Sequence, residues 1–591
     1  MTSDRSGDAP SRDGPVPLGE DPVPLREGAA PTGPPTGPPA GPDGADGGGR
    51  AGPVAVLSRP TAALLGIVAV ALAVGAGHLV AALVAPAASP PLAVGAAAVR
   101  LAPPPLVEFA TSTFGTADKT VLLTGVAVVL LAVAALAGLA ARRRPGPAVA
   151  VVVALGLVAG AAARTAPAFS QLDLLPPLVS TVTGVWAVRW LHRRGLRDAA
   201  ARDLAGNAGT SQRQQSLRGG QETCEDEFPA PPVRRRTVLG SAGAFGVVGA
   251  AALATGGAGL LLTRGVGGSR AEVTHRLAAA RVAPAPPVPP GADLAAFGAS
   301  PVVTPNADFY RIDTALRVPA LQAGDWTLRV HGMVDRELTV SFADLLARPL
   351  VEQTVTLTCV SNEVGGNLVS TARFVGVALR DLLRDAGVRD GADQLLSTSV
   401  DGWTAGTPTA VVLEPDRGAL LAVGMNGEAL PREHGFPVRM VVPGLYGYVS
   451  ATKWLVDLEL TTFAARESYW VQRGWARRAP VKTQSRIDSP GPSAEVPAGR
   501  LSVAGTAWAQ HVGVDRVEVR ADDGPWQDAQ LGTEVNRDTW RMWHTALDLT
   551  PGRHVLQCRA TDRSGATQTE QRADPVPDGA TGWHSVVVTV S

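Results

Sequence analysis

The sequence predicts three architectures in one chain: an N-terminal all-α transmembrane bundle, then an α+β domain, then an antiparallel β-sandwich. Three observations carry this. Long Ala/Val/Leu/Gly runs fill residues 61–263. Between 301 and 486, helical and strand-like patterns mix without a repeating βαβ order, as in α+β domains. Past Ile487, apolar residues alternate with period two between Asp-Gly, Pro-Gly and Ser-Gly turns. A chain of 591 residues is too long for one domain. Its 53 basic and 53 acidic side chains balance, so no broad basic surface argues for nucleic acid.

Residues 1–53 are rich in Pro, Gly and Asp and poor in large apolar side chains, so a disordered cytoplasmic tail is expected there. Residues 54–265 form the membrane region. A helix needs roughly 20 apolar residues to cross the hydrocarbon core. Five segments approach that: 61–85, 120–141, 147–163, 175–191 and 238–263. The third is short, and the fourth contains Pro177 and Arg189. Arg142 to Arg144 follow the second span, and Arg193, Arg194, Arg197, Arg202, Arg213, Arg218 and Arg234 to Arg236 follow the fourth. The opposite loops hold only Arg100, Lys119 and Arg164. Basic loops stay cytoplasmic, so the expectation is a multi-pass protein of the cytoplasmic membrane, N-terminus inside and C-terminal half outside. Arg235-Arg236-Thr237-Val238-Leu239 resembles a twin-arginine export signal, although a plain positive-inside anchor also accounts for it. His78 stands alone in its span, which argues against a bis-His haem. No chain of acids suggests ion transport.

Residues 266–300, with Ala-Pro-Ala-Pro-Pro-Val-Pro-Pro, read as a stiff linker. In 301–486, a strand is expected from Trp326, a short helix over Ser341–Leu346 capped by Ser341, and an amphipathic helix over Ala378–Asp385. Strands follow near 396–400 and 409–413, then a short helix near Ala419–Val423, then strands at Pro437–Val442 and Trp454–Leu460. Residues 487–591 are predicted as a sandwich of immunoglobulin-like size.

The three cysteines, Cys224, Cys359 and Cys558, are odd in number and widely spaced, which excludes a disulfide framework, a zinc ribbon and an iron–sulfur cluster. Cys558 lies between apolar neighbours and reads as buried and inert. Cys359 ends a strand-like stretch with Val355 and Leu357 on one face, and a polar turn through Gly365 and Gly366 follows. That context presents a soft thiolate to a metal or electrophile, and it equally suits a small buried apolar residue.

Three further runs stand beside it: Pro305-Asn306-Ala307-Asp308-Phe309-Tyr310-Arg311, His434-Gly435-Phe436-Pro437-Val438-Arg439, and Tyr446-Gly447-Tyr448-Val449-Ser450-Ala451-Thr452-Lys453-Trp454. Each alone reads as a loop or a strand entry. Together with Thr358-Cys359-Val360-Ser361-Asn362-Glu363, and in this order, they resemble the molybdenum-cofactor domain of the sulfite oxidase family, particularly its bacterial membrane-anchored members. The resemblance covers about 300–486, and the sandwich resembles the family's dimerisation domain.

The resemblance implies a molybdenum–molybdopterin cofactor, with Cys359 as the protein thiolate on the metal and the catalytic residue. One dithiolene plus one soft sulfur suits molybdenum. It further implies that Arg439 and Lys453 hold the pterin's phosphate, as a planar fork and a point charge. Ser450 and Thr452 would supply hydroxyls and backbone N–H groups. His434, Asn306, Phe309, Tyr310 and Asp401 would contact the cofactor. The expected reaction is two-electron oxygen-atom transfer on a small oxo substrate such as a sulfoxide. Electrons would pass to a quinone or a cytochrome, since the chain has no haem, flavin or cluster motif of its own. A homodimer is implied only by the sandwich's resemblance.

Two departures bear on substrate. Sulfite oxidases follow the ligand cysteine with arginines, whereas here Asn362 precedes Glu363 and Val364. Their Arg-Asn-His run reads Arg311-Ile312-Asp313. A pocket without those cations binds a dianion poorly. Sulfite oxidation and a cofactor-free extracytoplasmic binding module are the competing readings.

Overall fold

The computed structural model describes residues 56–84, 88–103, 106, 109, 113–114, 118–166, 169–218, 239–262 and 267–591. The expected tail 1–53, Cys224 and the paired arginines 235–236 lie outside the described residues. The apolar runs form helices: α1 (Arg59–Val84), α2 (Pro90–Leu101), α3 (Asp118–Ala140), α4 (Gly146–Arg164), α5 (Leu175–Arg218) and α6 (Leu239–Leu262). Among the described residues, four segments are long and apolar enough to cross a membrane: 59–84, 119–140, 146–164 and 171–201. Pro176 and Pro177 fall in the first turn of α5, where a missing N–H leaves no helical bond unmade. α1 packs against α3, α5 and α6 through Leu65, Ala69 and Leu72, which meet Ala134, Ala137, Ala187 and Val188 in one apolar core.

The stretch 266–300 is not a free spacer. α7 (Gly267–Ala279) buries Val273 in the core of the domain that follows. Arg270 donates to the carbonyls of Ala429 and Leu430 at 3.1 Å. β1 (Val282–Ala283) then joins the domain's first sheet, and Ala292 and Leu294 pack with Trp508 and Trp540. The prolines make the segment extended, but its apolar side chains find partners on both neighbouring domains.

That domain is built on two sheets. The strands are β2 (Thr327–Gly332), β3 (Leu338–Ser341), β4 (Leu350–Thr358), β5 (Val369–Ala378), β6 (Gln394–Ser399), β7 (Thr404–Pro408), β8 (Leu420–Met425), β9 (Glu428–Ala429), β10 (Arg439–Val441) and β11 (Leu455–Thr461). One sheet runs β1-β4-β5-β8-β10 with β9 paired to β8; the other runs β3-β2-β11-β6-β7. Ser341 caps α8 (Phe342–Leu346) in a capping box with Asp344. α9 (Leu379–Ala386) buries Leu379, Leu382 and Leu383 on one face.

Two elements differ from expectation. Residues 409–413 form α10 (Thr409–Leu413), because the strand has already ended at Pro408. Of residues 419–423, Leu420 onward belongs to strand β8, whose six residues are all buried. A strand covered on both faces shows no alternation, so its sequence reads equally as helix.

The C-terminal part holds two facing sheets. β12 (Gln484–Ser489), β14 (Gly499–Trp508), β18 (Arg541–Leu549) and β17 (Gln530–Leu531) form one; β13 (Ala494–Val496), β20 (His584–Val590), β19 (Gly552–Asp562), β15 (Val514–Ala521) and β16 (Gln527–Asp528) form the other. Between them lie Val503, Val517, Trp543, Leu556 and Cys558. This part braces β4 directly. Gln510 donates to Thr358 Oγ1 at 2.7 Å, Trp540 N–H donates to Thr356 Oγ1 at 2.8 Å, and Asn536 donates to Thr354 O at 3.0 Å. The strand that ends at Cys359 is therefore held from a second set of sheets.

Candidate active site

Cys359 is the first residue past the β4–β5 ladder, whose last pair is Thr358 with Val369. The intervening loop is closed by Cys359 N–H on Leu368 O at 2.9 Å and by Leu368 N–H on Asn362 Oδ1 at 2.8 Å. Gly365 sits at φ +80°, and a Cβ there would fall 2.1 Å from the His584 ring, so only glycine lets the loop lie against the C-terminal sheets. Arg486 fixes the same loop by donating to Gly366 O at 2.8 Å. Cys359 is 8% exposed. Burial raises its pKa, while hydrogen bonds from Ser361 work the other way and favour the thiolate.

The second wall comes from the runs around His434 and Ser450. Backbone bonds from Met440 N–H to Thr452 O (2.9 Å) and from Val442 N–H to Ser450 O (3.1 Å) lay β10 beside α11 (Gly447–Ser450) and its exit. Gly435, at φ +112°, lets the His434 turn approach within a Cβ contact of both Arg439 and Lys453, at 3.1 Å each. The structure thus brings together what the sequence separates. Tyr310 is the link to the cysteine, since its phenol feels both Cys359 and Arg439. Burial, reinforced by Cys359, pushes that phenol far above its usual range, so it stays a donor.

Arg439 is the most telling side chain in this wall. It is 5% exposed, yet its guanidinium makes only a 3.4 Å contact to His434 O, and its Nε has no partner among the described residues. Its guanidinium lies 5.9 Å from the Phe374 ring centroid. Burial lowers its pKa to about 10, which still leaves it charged. A desolvated cation this poorly satisfied is costly unless an anion joins it. Lys453 lies 2.8 Å from Asp313 and 3.2 Å from Glu433 O, and burial lowers its pKa to about 8 against the pull of Asp313. His434 donates from Nε2 to Asn306 O at 3.2 Å and meets the Phe309 ring edge-on at 5.3 Å. Burial, with Arg439 adding to it, lowers its pKa to about 4, so it is neutral at physiological pH.

Other expected residues are placed differently. The Asn306 side chain is bound by Glu428 (2.7 Å) and Asn426 (2.9 Å) and acts as scaffold. The Ser450 hydroxyl donates to the carbonyls of Leu445 and Tyr446 at 3.0 Å, so it is not a free donor. Thr452 Oγ1 shares a 2.7 Å bond with Ser397. Asp401 is half-buried, and its desolvation raises its pKa; it lies close enough to feel Asp313 and Lys453. Sequence reasoning missed Asp313 as a site residue, although it stood in the run already noted as unusual. It also missed Arg572, which lines a small surface hollow with Glu363, Val364 and Asp574. Elsewhere, Glu414, Asp416 and His511 bring ligand atoms within 4.8 Å, but Arg417 and Arg537 already pair with those carboxylates.

The donor set suits an anionic cofactor with a soft metal: one thiol, a buried and a partly buried cation, and a neutral imidazole on adjoining elements. The comparisons agree. The family model "Oxidoreductase molybdopterin binding domain" matches residues 315–470, which include every expected site residue except Asn306, Phe309 and Tyr310. Sulfite oxidase of Gallus gallus is 32% identical over 336 residues, covering 48% of this chain and 72% of that protein. The "Uncharacterized oxidoreductase YuiH" of Bacillus subtilis is 34% identical over 169 residues, covering 27% of this chain and 81% of its own. The chain spans 62% of the mitochondrial sulfite oxidase of Homo sapiens, at 32% identity. The sulfane dehydrogenase SoxCD of Paracoccus pantotrophus aligns over 51% of this chain and 88% of its own at TM-score 0.44 and 24% identity, too loose a likeness to carry an argument.

Proposed function

The chain belongs to the sulfite oxidase family of molybdopterin-dependent oxidoreductases, and on that premise we propose that it is anchored by its helices in the cytoplasmic membrane and transfers an oxygen atom to or from a small substrate outside it. The observation that carries the site assignment is the buried, under-satisfied Arg439, whose neighbour Tyr310 also feels Cys359. Cys359 Sγ would be the metal ligand. Arg439 and Lys453 would hold the terminal phosphate, and His434 and Phe309 would contact the pterin. Molybdenum–molybdopterin, when bound, supplies a metal that changes by two electrons as an oxygen atom is exchanged. The protein's part is geometric and electrostatic. The β4 strand, braced by the C-terminal sheets, fixes the thiolate, the buried cations neutralise the phosphate, and Tyr310 presents a phenol that keeps its proton.

The substrate reading follows from the hollow beside the Cys359 loop. Glu363 and Asp574 there outweigh Arg572, so a dianion is disfavoured and a neutral oxo compound such as a sulfoxide is preferred. Arg572 also supports the second reading, sulfite, by placing one cation where the loop itself has none. Steady-state assays of the purified full chain separate them. Reduction of methionine sulfoxide by a viologen donor, without sulfite-dependent dye reduction, supports the first; the opposite result replaces it with sulfite oxidation. The electron carrier is a membrane quinone or a cytochrome, and the C-terminal sandwich, immunoglobulin-like in size, is the surface for a homodimer.

A further inference from the structure

We propose that the membrane helices complete the anion-binding wall of the cofactor site: Lys119, from the first turn of α3, neutralises Asp313 and so leaves the charge of Lys453 available to a phosphate. This rests on the reading that Arg439 and Lys453 hold the cofactor's phosphate. Asp313, with its side chain 3% exposed, is shared by three cations. Lys119 Nζ contacts Oδ1 at 2.5 Å and the Asp313 carbonyl at 2.7 Å; Lys453 Nζ and Arg311 Nε contact Oδ2 at 2.8 and 2.9 Å. Burial pushes the Asp313 carboxyl up, but Lys453 and Lys119 outweigh it and hold it far below the usual carboxylate range. It is therefore a permanent anion beside the lysine that must receive another.

An anion so close to Lys453 competes with any incoming phosphate, because opposite charges in a poorly solvated site attract strongly at such range. Lys119 offsets that competition. Its charge comes from 194 positions upstream, on a helix long and apolar enough to span the membrane. A second contact holds the two parts together, since Arg473 donates to Arg100 O, at the end of α2, at 2.9 Å. The soluble domain alone thus has a cofactor site with one wall charge missing.

The test uses the full chain, purified in detergent from a cofactor-competent host, with molybdenum and pterin per chain followed during dialysis. Lys119→Met is expected to lose both roughly tenfold faster than wild type, equivalent to about 1.4 kcal/mol. Lys119→Arg, which keeps the charge, is expected to retain them. Lys119→Met combined with Asp313→Asn is expected to recover retention, because a neutral amide no longer competes for Lys453. Melting curves of the chains after cofactor loss show whether the fold is shared. Equal retention in Lys119→Met and wild type overturns the inference, as does a double variant that loses cofactor as fast as the single one. A wild-type chain with neither molybdenum nor pterin overturns the cofactor assignment itself, and this inference with it.

Discussion

Two buried cysteines, Cys359 and Cys558, sit in two β-rich regions of the same chain, and burial does not tell them apart. Cys558 lies in the middle of β19, paired on one side with Val519 of β15 and on the other with His584 of β20. It is fully buried between the two C-terminal sheets, and burial pushes its thiol up to about 12. Cys359 is nearly as buried, but it lies one residue past the end of a ladder. Ser361 stabilises its thiolate, and the Tyr310 phenol lies close enough to feel both it and Arg439. The contrast teaches that position at a ladder's end and the groups nearby, rather than exposure, single out Cys359 as the proposed ligand.

The largest effect expected from this contrast is on metal content. Cys359→Ser removes the soft ligand, and elemental analysis of the purified chain should fall from about one molybdenum to about a tenth or less; Cys558→Ser should leave it unchanged. Metal loss in both variants, or in neither, breaks the comparison. Next is Arg439→Met, which removes the fork but keeps the packing on Phe374. Pterin affinity, read from cofactor fluorescence after release, should drop by about two orders of magnitude, roughly 3 kcal/mol, as for a buried charge-assisted contact.

Acid stability sharpens the comparison further. His434 and His584, the ring against the Cys359 loop, are both held down to about 4, mainly by burial. His584 Nδ1 accepts the Ile487 N–H at 3.0 Å, a bond that protonation would destroy. Between about pH 6.5 and 4 the unfolded chain takes up protons that the folded chain refuses, so stability falls as pH falls. Denaturant melts across that window should show His584→Gln less acid-sensitive by up to roughly 3 kcal/mol. The smallest expected effects are structural. Cys558→Ala should cost about 1 kcal/mol by leaving a small void. Ser450→Ala should cost about 1 kcal/mol through its lost turn bonds, with pterin content unchanged. A drop in pterin content with Ser450→Ala would restore its hydroxyl to the cofactor site.

Much of the site was legible because it lies in contiguous runs. Cys359, His434, Arg439 and Lys453 each stand in a run that alone reads as a loop or strand entry, and only the runs taken together, in order, resemble a known cofactor domain. Asp313 was not legible, because its meaning depends on Lys453, 140 residues downstream, and on Lys119, 194 upstream. Likewise Arg572 and His584 reach the Cys359 loop only through the packing of the C-terminal sheets. Helices and alternating strands were found where one face is polar. β8 was misread because both its faces are covered, and 266–300 because proline content says nothing about what the intervening apolar residues touch.

X-ray absorption at the molybdenum edge of the purified full chain tests the central assignment most directly. Ligation by Cys359 predicts a sulfur shell with one scatterer beyond those the dithiolene supplies, and its loss in whatever molybdenum Cys359→Ser retains. A wild-type sulfur shell that the dithiolene alone explains, unchanged in that variant, would contradict it.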